Sequence, residues 1–169
     1  MVKQQGVTLI QMLFAAGLLA LLTPLGISAY SKMSHDLQQQ AIAENLALAL
    51  RATRSEALLR NQVVVLQALE DDWSKGWQIR LEQGPEQLLR EYSVGAGIRV
   101  IGNQPVARKV RFSGSGVPLR EGGAFQAGTL LVCGASGQER LYQVRLSASG
   151  RVSLRHAPPD QPLCGGDVS

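Results

Sequence analysis

Arginine is the residue type best placed to do chemistry in this chain, and it is concentrated in the C-terminal half. Residues 99–155 contain nine Lys or Arg against two Asp or Glu, a net charge of +7, whereas residues 31–98 contain seven against nine, a net charge of −2. Eight of the nine are Arg, whose guanidinium can hold phosphate through two parallel hydrogen bonds. They are Arg99, Arg108, Lys109, Arg111, Arg120, Arg140, Arg145, Arg151 and Arg155. This asymmetry favours a polyanionic partner.

Three of these arginines flank a predicted hairpin turn at residues 147–150. Arg151 and Arg155 share one strand face by the period of two, and Arg145 lies just across the turn. We therefore predict that the three gather as one basic cluster that could contact a polyanion. Two alternatives stay open: a solvated basic face with no ligand, and a face that docks acidic patches of neighbouring subunits.

The sequence contains no pattern typical of catalysis or of metal binding. Its two histidines, His35 and His156, lack ligand spacing, and there is no His-Glu-x-x-His, Gly-Lys-Ser/Thr loop or Gly-x-Ser-x-Gly elbow. The acidic residues 71–72 are interpreted as a solvated turn, and Trp73 and Trp77 as packing residues. We predict a protein that is not an enzyme and that needs no metal and no cofactor.

The two cysteines, Cys133 and Cys164, have no second Cys or His at metal-ligand spacing. In an oxidising compartment across a bacterial inner membrane, a disulfide between them is expected. It would tie the C-terminal tail to a strand. Two separate thiols are the alternative.

The N-terminus predicts a membrane anchor. Residues 1–6 are polar with one positive charge, Lys3, and residues 7–29 carry no charge. A helix of that length spans about 35 Å, enough for a bilayer core of about 30 Å. Lys3 assigns the N-terminus to the cytoplasm by the positive-inside rule. The segment fits three interpretations: a signal peptide removed near Ala29, a signal anchor that is kept, or a short leader cut after Gly6.

The pattern of the rest of the chain predicts one long helix followed by short strands. Residues 31–61 continue the helix, and one face is formed by Ile42, Leu46, Leu50, Thr53 and Ala57. Pro24, inside the first half, predicts a kink. Strands are predicted at residues 63–66, 77–81, 88–94, 98–101, 110–112, 129–133, 141–146 and 151–154. The tail from Ala157 is rich in Pro and Gly and is predicted to be irregular.

The stretch from Gly6 to Leu13 resembles the leader of type IV pilins and pseudopilins. The resemblance implies that prepilin peptidase cuts between Gly6 and Val7 and that Val7 is then methylated. Val7 stands in place of the usual Phe, and Gln11 in place of the usual Glu. In the family that carboxylate is thought to pair with the N-terminal amine of a neighbouring subunit. A subunit at a special place in the filament, such as the tip, would be least affected by Gln11.

Further motifs, in the same order along the chain, are similar to the GspH/FimT family of minor pilins and pseudopilins. They are residues 48–57 before a Val-rich strand, the Trp-x-x-Gly-Trp turn Trp73-Ser74-Lys75-Gly76-Trp77, Val110-Arg111-Phe112 followed by Gly114 or Gly116, and Gly150-Arg151-Val152. The resemblance implies an α+β, type IV pilin-like fold, with a spine helix packed on two antiparallel β-sheets.

The expected organisation has four parts. Residues 1–6 are the leader, 7–30 the transmembrane half of the spine helix, 31–61 its amphipathic half, and 62–169 the globular β domain with its irregular tail. The chain is then a single-pass protein of the inner membrane, with its domain in the periplasm or in a pilus or pseudopilus. The expected partners are prepilin peptidase, the membrane, and other pilins or pseudopilins through the spine helix.

The resemblance also bears on the arginines. FimT-like pilins of transformable bacteria are the DNA-binding members, and a C-terminal Gly-Arg-x-Arg motif is linked to that role. Gly150 and Arg151 match it, Ser153 stands where the second Arg is expected, and Arg155 lies two residues later on the same strand face. The resemblance thus implies a FimT-like minor pilin that takes part in pilus biogenesis and binds double-stranded DNA for uptake. Arg145, Arg151 and Arg155 would contact the DNA backbone without readout of base sequence. The alternative is a GspH-like minor pseudopilin of type II secretion.

Overall fold

A computed structural model describes residues 8–83, 88–95, 97–134, 141–157 and Cys164, without the side chains of 22–29 and 32. It contains one long helix, α1 (Leu9–Arg60), followed by eight strands. The strands are β1 (Val64–Ala68), β2 (Gly76–Leu81), β3 (Leu88–Ser93), β4 (Arg99–Gly102), β5 (Lys109–Phe112), β6 (Gly128–Cys133), β7 (Leu141–Leu146) and β8 (Val152–Ala157). Each predicted strand is confirmed, and β8 continues three residues beyond its predicted end.

The chain forms two compact units, residues 1–35 and 36–169. In the first unit, α1 begins after Thr8, whose backbone N–H donates to Oε1 of Gln11 at 3.1 Å. This contact satisfies one of the free donors at the helix start, as in a capping box. The predicted leader, Gly6 and Val7 lie outside the described residues.

The membrane anchor stays a prediction. Within the described residues, no helical stretch is both long and apolar enough to be a candidate membrane span. The predicted spanning segment, residues 7–30, is described only in part. Residue 7 lies outside the described residues, and so do the side chains of residues 22–29, which include Pro24.

The second unit is built on one core shared by the helix and both sheets. From Asp36 onward, α1 buries the predicted face, namely Ile42, Leu46, Leu50, Thr53 and Ala57. This face packs with the inward-facing residues of both sheets, such as Leu66 of β1 and Val144 of β7. Because side chains at steps of three and four residues share one side of a helix, the amphipathic pattern fixes which side meets the sheets.

The two four-stranded sheets are antiparallel throughout. The first has the order β3-β2-β1-β5 and the second β4-β6-β7-β8. The chain therefore leaves the first sheet after β3, returns to it as β5, and ends in the second sheet. The fold is the predicted α+β arrangement of a long N-terminal helix packed on a domain of two antiparallel sheets.

The two tryptophans hold the turn into β2. Trp73 is buried, and its indole N–H donates to the carbonyl of Val106 at 3.1 Å. Trp77 is buried and stacks on Tyr92 of β3, with ring centroids 4.7 Å apart. Gly76 between them has a φ of 131°, and a Cβ there would lie 2.1 Å from the carbonyl of Tyr92. The interpretation of both tryptophans as packing residues agrees with this burial.

Candidate nucleic-acid interface

The second sheet has an outer face turned away from the core, and Arg145 lies on it. Along β7, Tyr142, Val144 and Leu146 are buried while Arg145 is exposed. The Cα partners of Arg145 are Thr129 on β6 and Ser153 on β8. Because successive strand residues point to opposite faces, Arg145, Thr129 and Ser153 share the outer face.

Arg151 and Arg155 lie two residues on either side of Ser153, so they belong to the same outer face. Both are exposed. Each is diagonal to Arg145 across the β7–β8 pair, a relation that places Cα atoms about 7–8 Å apart. The register thus brings together the three predicted arginines, which we call the arginine face (Arg145, Arg151 and Arg155).

The hairpin turn that carries Arg151 is held by its own hydrogen bonds. The backbone N–H of Ser147 donates to the carbonyl of Arg151, and the N–H of Arg151 donates to Oγ of Ser147, both at 3.0 Å. Gly150 has a φ of 80° and donates its N–H to the carbonyl of Ser147 at 2.9 Å. The predicted turn at residues 147–150 is confirmed.

Two arginines of α1 hold this hairpin against the helix. Arg54 donates to the carbonyl of Gly150 at 3.2 Å and to that of Gly116 at 3.0 Å. Arg51, which is exposed, donates to the carbonyl of Val152 at 3.5 Å. Arg51 therefore places a further positive charge at the backbone of β8. Sequence reasoning missed it, because the contact joins residues about a hundred positions apart and no local pattern signals it.

Three of the six other basic residues of the C-terminal half have acidic partners among the described residues. Lys109 pairs with Glu121, and Arg111 pairs with Glu82. Arg108 lies 3.7 Å from Asp71. Lys109 and Arg111 belong to β5 and Arg108 directly precedes it, so these three cations lie at the first sheet.

In two of these pairs the pKa of one member is shifted. The hydrogen bond from Lys109 holds the pKa of Glu121 below its ordinary value. The hydrogen bond to Glu82 raises the pKa of Arg111. Both effects favour the charged forms. By contrast, the guanidinium groups of Arg145, Arg151 and Arg155 form no ion pair and no hydrogen bond within the described part of the chain.

The predicted disulfide between Cys133 and Cys164 is present, with the Cα atoms 5.8 Å apart. Cys133 is the last residue of β6, at the end of the strand that is far from Arg145. Cys164 packs beside a small cluster that includes buried Leu131 and Leu141. Cys133, Leu131 and Leu141 share the outer face with the arginines, since they lie an even number of strand positions from Thr129 or Arg145. The outer face thus has a covered apolar end and an exposed basic end.

Among the described residues, no group of three or more His, Cys, Asp or Glu is placed to hold a metal ion. Asp71 lies in the predicted acidic turn with a φ of 61°, next to Arg108.

A long N-terminal helix packed on two antiparallel sheets defines the class of the molecule as type IV pilin-like. The model of the family described as Type II transport protein GspH matches residues 43–150. The chain therefore belongs to the GspH family, the minor pilins and pseudopilins of FimT/GspH type.

Solved structures with the same fold include a type IV minor pilin and a minor pseudopilin of a type 2 secretion system. The type IV minor pilin FimU of Pseudomonas aeruginosa has a TM-score of 0.58 and 22% identity, covering 74% of this chain and 93% of FimU. The minor pseudopilin EpsH of the Vibrio cholerae type 2 secretion system has a TM-score of 0.52 and 15% identity, covering 73% and 99%. No curated relative matches the sequence.

Proposed function

We propose that this chain is a minor type IV pilin of FimT type whose arginine face binds double-stranded DNA through its phosphates. In this proposal prepilin peptidase removes residues 1–6, Val7 is methylated, and α1 anchors the protein in the inner membrane with its domain in the periplasm. The subunit then joins a pilus beside other pilins through α1.

One observation carries the DNA proposal. Three cations at β5, Lys109 and Arg111 among them, have acidic partners, whereas the arginine face is exposed without such partners in the described structure. Guanidinium groups in this state are free to make bidentate contacts with phosphate.

The size of the face suits a duplex. Arg151 and Arg155 are four strand residues apart, or about 13 Å. That length of duplex axis carries roughly eight phosphate charges. Arginines on a strand face contact the DNA backbone, and no groove-reading helix lies beside them in the described structure, so binding is expected to be insensitive to sequence.

The test is a titration of double-stranded DNA at several salt concentrations. It uses a fragment from residue 34, which keeps the whole core cluster. A variant with Arg145, Arg151 and Arg155 changed to Gln should lose most of the affinity. Each lost contact should also reduce the slope of log K against log salt by about one.

A control variant changes Arg90, Arg108 and Arg120 to Gln, which removes the same charge elsewhere on the domain. It should keep the wild-type salt slope, since these residues lie off the arginine face. Equal losses in the two variants would mean that net charge alone attracts DNA. No binding at low salt would overturn the DNA proposal and leave a basic face that meets protein.

Processing is tested separately at the N-terminus. We expect intact mass spectrometry of the membrane-extracted protein to show loss of residues 1–6 and the addition of one methyl group at Val7. A Gly6→Val variant should keep its full length, because the peptidase acts at the Gly6–Val7 bond in this proposal. A wild-type chain that still carries Met1 would indicate a signal anchor instead.

A second candidate is a minor pseudopilin of a type II secretion system. It is favoured by the description of the matching family and by the fold shared with EpsH. Deletion of the chain in its host separates the two: loss of DNA uptake with normal secretion supports the pilin, and the reverse result supports the pseudopilin.

A further inference from the structure

Strand β3 leaves one edge of the first sheet open. It is the terminal strand in the order β3-β2-β1-β5, and it pairs only with β2 among the described strands. Five of its six residues are exposed. A strand with a free row of N–H and C=O groups is a template for pairing with another extended segment.

A groove runs alongside this edge, between β3 and α1. Its cavity is about 210 Å³, and its walls include Leu48 and Asn45 of α1, Trp77 of β2 and Tyr92 of β3. Leu48 is 57% exposed although it lies beside the core. The side-chain amide of Asn45 donates to the hydroxyl of Tyr92 at 3.0 Å, and Tyr92 stacks on Trp77. The groove therefore has both apolar and polar walls, and these contacts hold its shape before any ligand arrives.

Two charged residues of β3, Arg90 and Glu91, line the groove. The Cα partner of Arg90 on β2 is Ile79, whose side chain is in the core, so the side chain of Arg90 lies on the inner side of the sheet. Because successive strand residues point to opposite faces, the side chain of Glu91 points to the other side. Within the described residues Arg90 has no acidic partner. Tyr92 is two positions along the same strand face, so the charged part and the aromatic part of the groove are about 7 Å apart.

We propose that this groove and the β3 edge together bind an extended segment of another protein, which adds to the first sheet as a fifth strand. The segment carries an acidic residue facing Arg90 and an apolar residue, two positions along, facing Leu48 and Tyr92. The free backbone groups require an extended polypeptide, the unpaired Arg90 selects the acidic residue, and the cavity volume admits one or two apolar side chains. This site does not depend on DNA binding.

The test uses the full chain in lipid nanodiscs and a capped peptide, acetyl-Thr-Leu-Thr-Asp-Thr-Val-amide. NMR should show shifts of the Leu48 methyl groups and the Trp77 indole N–H on addition of the peptide. Replacing the Asp of the peptide by Lys should weaken binding about threefold to fivefold, the range of a partly exposed ion pair. An Arg90→Glu variant should reverse this preference, which a misfolded variant could not do.

Strand addition is tested with two N-methylated peptides. One peptide is methylated on its odd-numbered amides and the other on its even-numbered amides. Alternate amides of an extended peptide point to opposite sides, so only one of the two sets donates N–H groups to β3. One isomer should bind as the parent does and the other should not. If both isomers bind equally, or if Asp and Lys peptides shift the groove signals alike, the proposal is overturned. Groove signals that change with protein concentration alone would mean that a second copy of this chain occupies the groove. That result would also overturn the proposal.

Discussion

Gly150 lies in the turn before Arg151 with a backbone φ of 80°, a conformation that L residues with a Cβ rarely adopt. A Cβ there would lie 2.9 Å from the carbonyl oxygen of Gly116 and 3.1 Å from Nε of Arg54. The glycine is therefore needed both for the turn and for the close contact with the helix arginine.

We expect Gly150→Ala to lower the free energy of unfolding by about 2–4 kcal/mol. The left-handed backbone costs an L residue about 1–2 kcal/mol, and the methyl group also collides with a carbonyl. Gly122→Ala is the matched control, because Gly122 has a φ of 96° with nothing within 4 Å of a Cβ. Urea denaturation of the fragment from residue 34 measures both. Equal losses would mean that the contact with Gly116 contributes nothing.

At the level of elements, the disulfide closes a loop with a sequence separation of 31. Chain-entropy arguments assign about 3–4 kcal/mol to a loop of that size. We expect Cys164→Ser to lose that amount of stability in denaturant titrations. Reduced wild-type protein should match the variant, and reductant should not change the variant itself.

The same change should also uncover apolar surface. Leu131 and Leu141 pack beside Cys164, so a tail that is no longer tied leaves them accessible to a hydrophobic dye. Dye fluorescence should rise in the Cys164→Ser variant at concentrations of denaturant where the domain is still folded. Unchanged fluorescence would mean that the cluster stays covered without the covalent bond.

The elements could be predicted from the sequence because their signals are local. The apolar face from Ile42 to Ala57 repeats at helical steps, and the β-branched run around Val64 indicates a strand. The pairing of β1 with β5 could not be predicted, since nothing near Val64 marks residue 112 as its partner.

The candidate site was predicted in part for the same reason. Arg145, Arg151 and Arg155 are gathered by one hairpin, so period and turn were enough to place them together. The pairing of Arg111 with Glu82 depends on how the sheets assemble, and so does the reach of Arg54 to the hairpin. Charge counting alone therefore could not tell the neutralised cations from those that remain available.

At the scale of the whole molecule, Gln11 bears on how the subunit meets its neighbours. Its side chain accepts the N–H of Thr8 within the chain, and a carboxylate could accept the same bond. We expect Gln11→Glu to raise the share of the protein recovered with sheared filaments, since the resemblance implies that a carboxylate here pairs with a neighbouring amine. Immunoblots of sheared and cell fractions measure it.

Gln38→Glu is the control, because it adds the same charge to an exposed position elsewhere on α1. If both variants change filament recovery equally, charge on the helix matters and position 11 has no special role. If Gln11→Glu changes nothing, the subunit occupies a place where no neighbouring amine reaches that residue.

The bonds from Arg54 and Arg51 to the β7–β8 hairpin have a mechanical consequence. Strand β8 is an edge strand, and an edge strand pulled at its end peels away one backbone bond at a time. A ligand under tension at Arg151 pulls at the turn, beside the two carbonyls that these helix arginines hold. Part of the force then passes into α1 through these bonds rather than into the ladder between β7 and β8. If the chain works in a filament under tension, as the pilin proposal implies, the helix would share the load with the sheet that presents the arginines.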